Sequence, residues 1–308
     1  MNTIIIVGGP TACGKTEYAI EIAKALDGEI VSCDSMQLYK YMDIGSAKPD
    51  AHELAQVRHH LVDVIDPREK FSAAKYQKLA REAIDDILSR GKTPVIAGGT
   101  GLYINSVIYD MNFSSADADE DERNRLRILA EKEGPEALHK LLQDADPDAA
   151  ARIHPNNIKK VIRAIEAARS GNRIPDFDKS FVPYSRYSPK MIALTRDREE
   201  LYDRINRRVE ILFDKGLVDE LVFLKKMGLS PDDISMKGIG YKEVLGYLDG
   251  MYSLEETKEL VKKNTRHYAK RQLTWLRRYK DIRFFNLSEY EDKNAALEDI
   301  ISWLKKKQ

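Results

Sequence analysis

Apolar residues in the first hundred positions alternate between two spacings. The run Ile4 to Val7 is continuous, as in a strand buried on both faces. Ala19, Ile22, Ala23 and Leu26 then recur at helical spacing. Glu29 to Cys33 reads as a second strand, Tyr76 to Leu88 as a helix closed by Gly91, and Pro94 to Ala97 as a third strand. Strand and helix in alternation predict a parallel α/β sheet flanked by helices. The pattern changes between Ser114 and Ser185, where no good strand is found. Polar helical segments take its place, at Glu122 to Glu133, Glu136 to Gln143 and Asn157 to Ser170. Lys190 to Leu194 is strand-like again and is followed by a helix opened by Asp197. Ser253 and Glu256 form a capping box for a long basic helix, Ile282 to Phe285 reads as a last strand, and Leu297, Ile300, Ile301 and Leu304 mark an amphipathic tail helix. The expected organisation is a core of residues 1–113 and 186–308, interrupted by an all-helical insert at 114–185.

Composition narrows the function classes. No apolar stretch approaches the roughly 20 residues a membrane span needs, and no cleavable leader pattern opens the chain, so it reads as soluble and unexported. Two cysteines, Cys13 and Cys33, do not make a disulfide framework and fit a reducing, cytoplasmic setting. The formal charge is zero, which argues against a generic nucleic-acid binder, but the charge is unevenly placed. Between Lys262 and Arg283 nine cations face one carboxylate, Asp281. Such a stretch can bind phosphates while the whole protein stays neutral.

The segment Gly9-Pro10-Thr11-Ala12-Cys13-Gly14-Lys15-Thr16 has P-loop spacing. Its glycines permit a close wrap around a phosphate, and the following helix adds the positive end of its dipole. Lys15 would hold the outer phosphate and Thr16 a magnesium ion. Cys13 reads best as small filler. Asp34 follows the second strand at the edge where open α/β sheets place their ligands. Position alone leaves it open between a metal-binding or capping carboxylate and a general base. The third strand ends in Gly98-Gly99-Thr100 without the acidic residue an ordinary P-loop ATPase would use for its metal. That turn is either a second phosphate-binding surface or a tight strand-to-helix connection. Arg204 and Arg208 share one helix face, either aimed at the phosphates or solvated. In the insert, Ile158, Val161, Ile162 and Ile165 make a core face and Lys159, Lys160 and Arg163 a basic one. The long helix mixes cations with aromatics, a combination suited to RNA, although Trp275 is more often core than a stacking platform.

Five segments in order resemble the bacterial tRNA dimethylallyltransferases: the P-loop, Ser32 to Tyr39, Met42 to Pro49, Gly98 to Tyr103, and Lys270 to Arg277. Cys13, often serine in that family, and Lys237, sometimes arginine, are small departures. The resemblance spans essentially the whole chain and implies transfer of a dimethylallyl group from its diphosphate to N6 of the adenosine 3′ of the anticodon. It implies that Asp34, Thr100 and Arg208 are catalytic, with Asp34 as the base. Gly9, Pro10, Thr11, Ala12, Cys13, Gly14, Lys15 and Thr16, with Arg204, would hold the diphosphate with Mg2+ at Thr16. It places tRNA contacts at Asp34, Ser35, Met36 and Gln37, at Lys159, Lys160, Val161, Ile162 and Arg163, and at Arg266, Lys270, Arg271, Gln272, Trp275 and Arg277, with Arg123 also reaching substrate. A cytoplasmic monomer is expected. The competing readings are a small-molecule kinase using ATP at the same loop, and an RNA-binding protein whose loop only senses nucleotide.

Overall fold

The computed structural model describes residues 2–111, 113, 120–171 and 181–306. In chain order the elements are β1 (Asn2–Gly8), α1 (Lys15–Ala25), β2 (Gly28–Cys33), α2 (Ala51–Gln56), β3 (His59–His60), α3 (Ala73–Ser89), β4 (Thr93–Gly98) and α4 (Gly101–Ile108). There follow α5 (Glu120–Glu133), α6 (Pro135–Ala145), α7 (Pro147–Ala150), α8 (Ile158–Arg169), β5 (Tyr187–Thr195), α9 (Arg198–Asp214) and α10 (Leu217–Lys226). The last are α11 (Tyr241–Leu248), α12 (Leu254–Leu276), β6 (Ile282–Asn286) and α13 (Lys293–Lys305). The chain forms two compact units, Met1–Tyr109 with Tyr184–Gln308, and Asp110–Pro183. The second begins at 110 and ends at 183, where sequence had placed 114 and 185; Ser114 itself lies outside the described residues.

The first unit is built on a six-stranded parallel sheet of order β3-β2-β4-β1-β5-β6. The apolar run of β1 sits between β4 and β5 and is buried on both faces. Ile4 and Ile6 pack toward Tyr76, Ala80, Ile84 and Ile87 of α3. Ile5 and Val7 pack toward Ala19, Ile22 and Ala23 of α1 and Ile300 and Leu304 of α13. Side-chain caps fix the helix starts: Ser72 accepts from Lys75 N, Asp292 from Ala295 N, and Ser253 with Glu256 closes the expected box on α12. Asp197 does stand at the start of α9 but does not cap it; its carboxylate accepts from Asn286 Nδ2 at 2.9 Å.

Strand β3 was not legible in the sequence, since two histidines carry no apolar signal. It extends the sheet at the edge by pairing with Ile30 and Val31. Beside it, Glu29 is only 4 % exposed and is held by both nitrogens of Arg90, one at 2.8 Å, and by His60 at 2.8 Å. The second unit is a small helical bundle with Leu126, Leu138, Leu142, Val161, Ile162 and Ile165 at its centre.

Candidate active site

The carboxyl edge of the sheet is shaped by backbone that only certain residues tolerate. After β1 the chain enters the P-loop, where Ala12 takes a φ of 65° and Gly14 a φ of 108°. Gly14 thus starts α1 from a left-handed conformation, aiming the first amides of the helix at the loop interior. Three long-range side chains hold the loop in place. Arg204 Nε donates to Ala12 O at 2.9 Å, Arg196 Nε to Cys13 O at 3.1 Å, and Thr11 N to Gln272 Oε1 at 2.8 Å. Lys15 Nζ donates to Pro10 O at 2.7 Å, folding its own amine across the loop mouth.

A cavity of about 520 Å³ opens in front of this loop. Thr11, Lys15 and Thr16 line it from the loop, Asp34 and Gln37 from the exit of β2, and Ser46, Ala47, Lys48 and Pro49 from the segment beyond. From α9 come Arg204, Arg207, Arg208, Ile211 and Leu212, one continuous helix face that Lys215 just past its end extends; Tyr268 and Gln272 come from α12. Burial holds both Lys15 and Arg208 below their ordinary values, and the Asp34 carboxylate opposes the shift on each. Two partly dehydrated cations and one carboxylate therefore share a single space. Cations stripped of water gain most from an incoming anion. Asp34 Oδ1 accepts from Met36 N at 2.9 Å, and among the described residues Oδ2 takes no hydrogen bond.

The turn after β4 follows the tight-connection reading. A side chain at Gly98 would put its Cβ 2.1 Å from Cys33 O, and at Gly99 1.9 Å from Gln272 Nε2. Gly98 lines the cavity, but Thr100 does not. Thr100 Oγ1 accepts from Ser35 N at 3.2 Å and its amide donates to Cys33 O at 3.2 Å. The hydroxyl thus helps to fix the β2 exit that carries Asp34.

The chain matches the family model described as IPP transferase over residues 37–279. The chain belongs to the IPP transferase family. It is 49% identical over 299 residues to a tRNA dimethylallyltransferase of Alkaliphilus oremlandii, covering 97% of this chain and 96% of that one. Among solved structures it resembles the full-length tRNA isopentenylpyrophosphate transferase of Bacillus halodurans, with a TM-score of 0.75, 43% identity, and 99% and 96% of the two chains covered. It also resembles a eukaryotic dimethylallyltransferase captured acting on tRNA, with a TM-score of 0.80, 26% identity, and 97% of this chain and 78% of that one covered.

In this IPP transferase the expected tRNA-contact residues divide sharply. Lys270 and Arg271 on α12 and Arg277 just past its end are exposed, with the Arg271 guanidinium 5.7 Å from the Tyr268 ring centre. Arg266 is drawn to Asn206 Oδ1 at 2.6 Å. Gln272 and Trp275 turn inward. Gln272 is 5 % exposed, and while its Oε1 takes Thr11 N, its Nε2 donates to Gly99 O at 3.1 Å. Trp275 donates to the Tyr279 hydroxyl at 3.1 Å and lies where a Cβ on Gly101 would sit 2.2 Å from its Cδ1. Around Asp34, Gln37 takes the Ser32 hydroxyl at 2.9 Å, and Met36 fills the space over Gly238. On α8, Lys159, Lys160 and Arg163 are exposed, but Val161 and Ile162 are core and cannot touch an outside partner. Arg123 is engaged by Glu166 at 2.6 Å within the insert.

Arg196, Arg207 and Lys215 were missed in the sequence. Arg207 and Lys215 could have been found by extending the Arg204 and Arg208 face by whole turns. Nothing local announces Arg196, because its partner Cys13 lies 183 positions away.

Proposed function

We propose that the protein transfers a dimethylallyl group from dimethylallyl diphosphate to N6 of the adenosine 3′ of the anticodon (position 37) in tRNA. The observation that carries this reading is the shared cavity, lined by cations of the P-loop and α9 together with the Asp34 carboxylate, which acts on Lys15 and Arg208. The N6 lone pair attacks the allylic C1 while the C1–O bond breaks and its electron pair leaves on the diphosphate. Asp34 Oδ2 accepts the N6 proton, which an exocyclic amine must lose to become a stable secondary amine. Lys15, Arg208 and the loop amides stabilise the charge that builds on the leaving diphosphate. Arg204 and Arg196 act on the loop carbonyls and keep those amides converged.

A magnesium ion fits the site on its donor chemistry. Thr16 offers a hard hydroxyl oxygen in the cavity, and the described residues hold no His, Cys, Asp and Glu cluster for an all-protein cage, so diphosphate oxygens and water would complete its shell. When bound it supplies further charge neutralisation to the leaving group. The exposed cations of α12 and α8 supply phosphate contacts to the tRNA, and the target base leaves its stack to reach Asp34, at a cost of a few kcal/mol. No helix among the described residues is long and apolar enough to cross a membrane. Two buried free cysteines support a reducing cytoplasmic setting, and a monomer is the simplest functional form.

The test is transfer of labelled dimethylallyl group to unmodified tRNA, with magnesium and without ATP. Label in tRNA from the wild type and none from Asp34→Ala supports reaction and base together. No label, alongside ATP consumption with a small acceptor, sinks the proposal in favour of a kinase.

A further inference from the structure

One segment of the cavity wall is held by a residue that never reaches the cavity. Glu220 of α10 accepts from three successive backbone amides, Asp43 at 2.8 Å, Ile44 at 2.7 Å and Gly45 at 3.0 Å, and from the Tyr241 hydroxyl at 2.8 Å. The fully buried Tyr241 ring also presses on Gly45, where an added Cβ would lie 2.5 Å from its Cζ. The chain leaves this anchorage directly into Ser46, Ala47, Lys48 and Pro49, which line the cavity.

Backbone strain marks this stretch and the 61–63 segment tied to it through Lys48 and Asp63. Tyr41, Ala47, Leu61 and Asp63 hold φ values of 65°, 47°, 61° and 56°, left-handed conformations that non-glycine residues adopt only when their surroundings compel them. Glu220 supplies one point of compulsion. Lys48 supplies the other, donating to Tyr39 O and Asp43 at 2.6 Å each and pairing with Asp63.

The chemistry of this wall identifies which substrate it faces. Lys48 lies between two carboxylates, so the wall offers no spare positive charge for a diphosphate. The other cations that line the cavity come from the P-loop and from α9 and the residue after it. Small, uncharged surfaces at Ser46, Ala47 and Pro49, with the Gln37 amide reaching Ala47 O at 3.4 Å, suit a flat neutral nucleobase. We propose that Glu220 is a positioning residue for the acceptor base, setting the wall at 46–49 against which the nucleobase is aligned to Asp34. This inference rests on the functional reading above.

Steady-state transfer by the full-length protein, with each substrate varied in turn, tests it. Glu220→Gln keeps the size but turns an NH2 group against a backbone N–H. The tRNA KM should rise about tenfold and kcat fall several-fold, with the donor KM within about twofold, as expected for loss of a charged acceptor that acts on one substrate only. Gly45→Ala displaces the wall from the other side while leaving Glu220 intact, and should give the same split; it also answers the question if the Glu220 variant does not fold. A parallel rise in both KM values, or a lower melting temperature with both KM values unchanged, overturns the proposal. A wild type that labels no tRNA overturns the functional reading itself, a separate and distinguishable result.

Discussion

The two ends of β2 carry one acidic residue each, and the protein treats them in opposite ways. Glu29, at the amino end, is buried, and every contact it makes closes it off: Arg90 grips both oxygens and His60 a second time at one of them. Its carboxyl is held down at about 2, chiefly by the Arg90 hydrogen bonds. Asp34, just past the carboxyl end, is half-buried, has one oxygen fixed by Met36 N, and opens onto the cavity. Cations surround it without closing on it. A carboxylate locked in a complete ion pair has no oxygen left to receive a proton from a substrate, whereas one with an open oxygen has. The completeness of the partner set separates the closed carboxylate from the open one.

The largest effect should come from Asp34→Asn. Transfer should fall by about a thousandfold, the scale of losing a general base, while tRNA affinity stays within a few fold in a filter-binding assay. Loss of tRNA binding with normal turnover at saturating tRNA would erase the contrast with Glu29.

Glu29→Gln should leave transfer nearly intact per folded molecule and reduce stability by about 3 kcal/mol in denaturant melts, since it uncouples a buried pair. The sign with pH follows from the direction of the shift. A carboxyl at about 2 in the folded protein against an ordinary 4.5 contributes its full stability above pH 4.5, and that contribution drains away as pH falls toward 2. Wild type should therefore lose stability across this window more steeply than Glu29→Gln. Parallel acid-unfolding curves would show that Arg90 and His60 do not hold the carboxylate in solution.

Gln272→Leu removes both halves of the bridge between Thr11 and Gly99, and should lower kcat about tenfold through a loosened loop with little change in tRNA KM. A selective rise in tRNA KM would return this residue to the RNA-contacting set. The smallest effect belongs to Lys159→Gln, Lys160→Gln and Arg163→Gln. Each should weaken tRNA binding a few fold and lower its salt dependence by about one unit of slope, as the loss of one proposed phosphate contact requires.

Legibility in the sequence followed the range of the forces involved. The buried runs of β1, β2 and β4 and the serine caps of α3 and α12 are local signals, and all were visible. Asp34 was visible too, because the end of a parallel strand is a known address. Glu29 was placed in its strand, but its partner Arg90 is 61 positions away, and no local pattern couples them. Gln272 and Thr100 looked like substrate-facing groups, and only the fold shows that one bridges Thr11 to Gly99 and the other fixes Ser35. Val161 and Ile162 teach the converse. Their helical spacing already marked them as core, and the resemblance, which transfers a stretch whole, carried them into the RNA-contacting set with the three exposed cations that flank them.

The bridge formed by Gln272 also has a meaning in time. Thr11 leaves the ribosome well before Gln272, which follows it 261 positions later. A chain halted before α12 would already have its phosphate loop, yet the Thr11 amide would wait without its partner and Gly99 would lack the amide that covers it. The loop thus waits for α12 to be made before it is set, and a copy that stops short of α12 carries the loop without the means to set it.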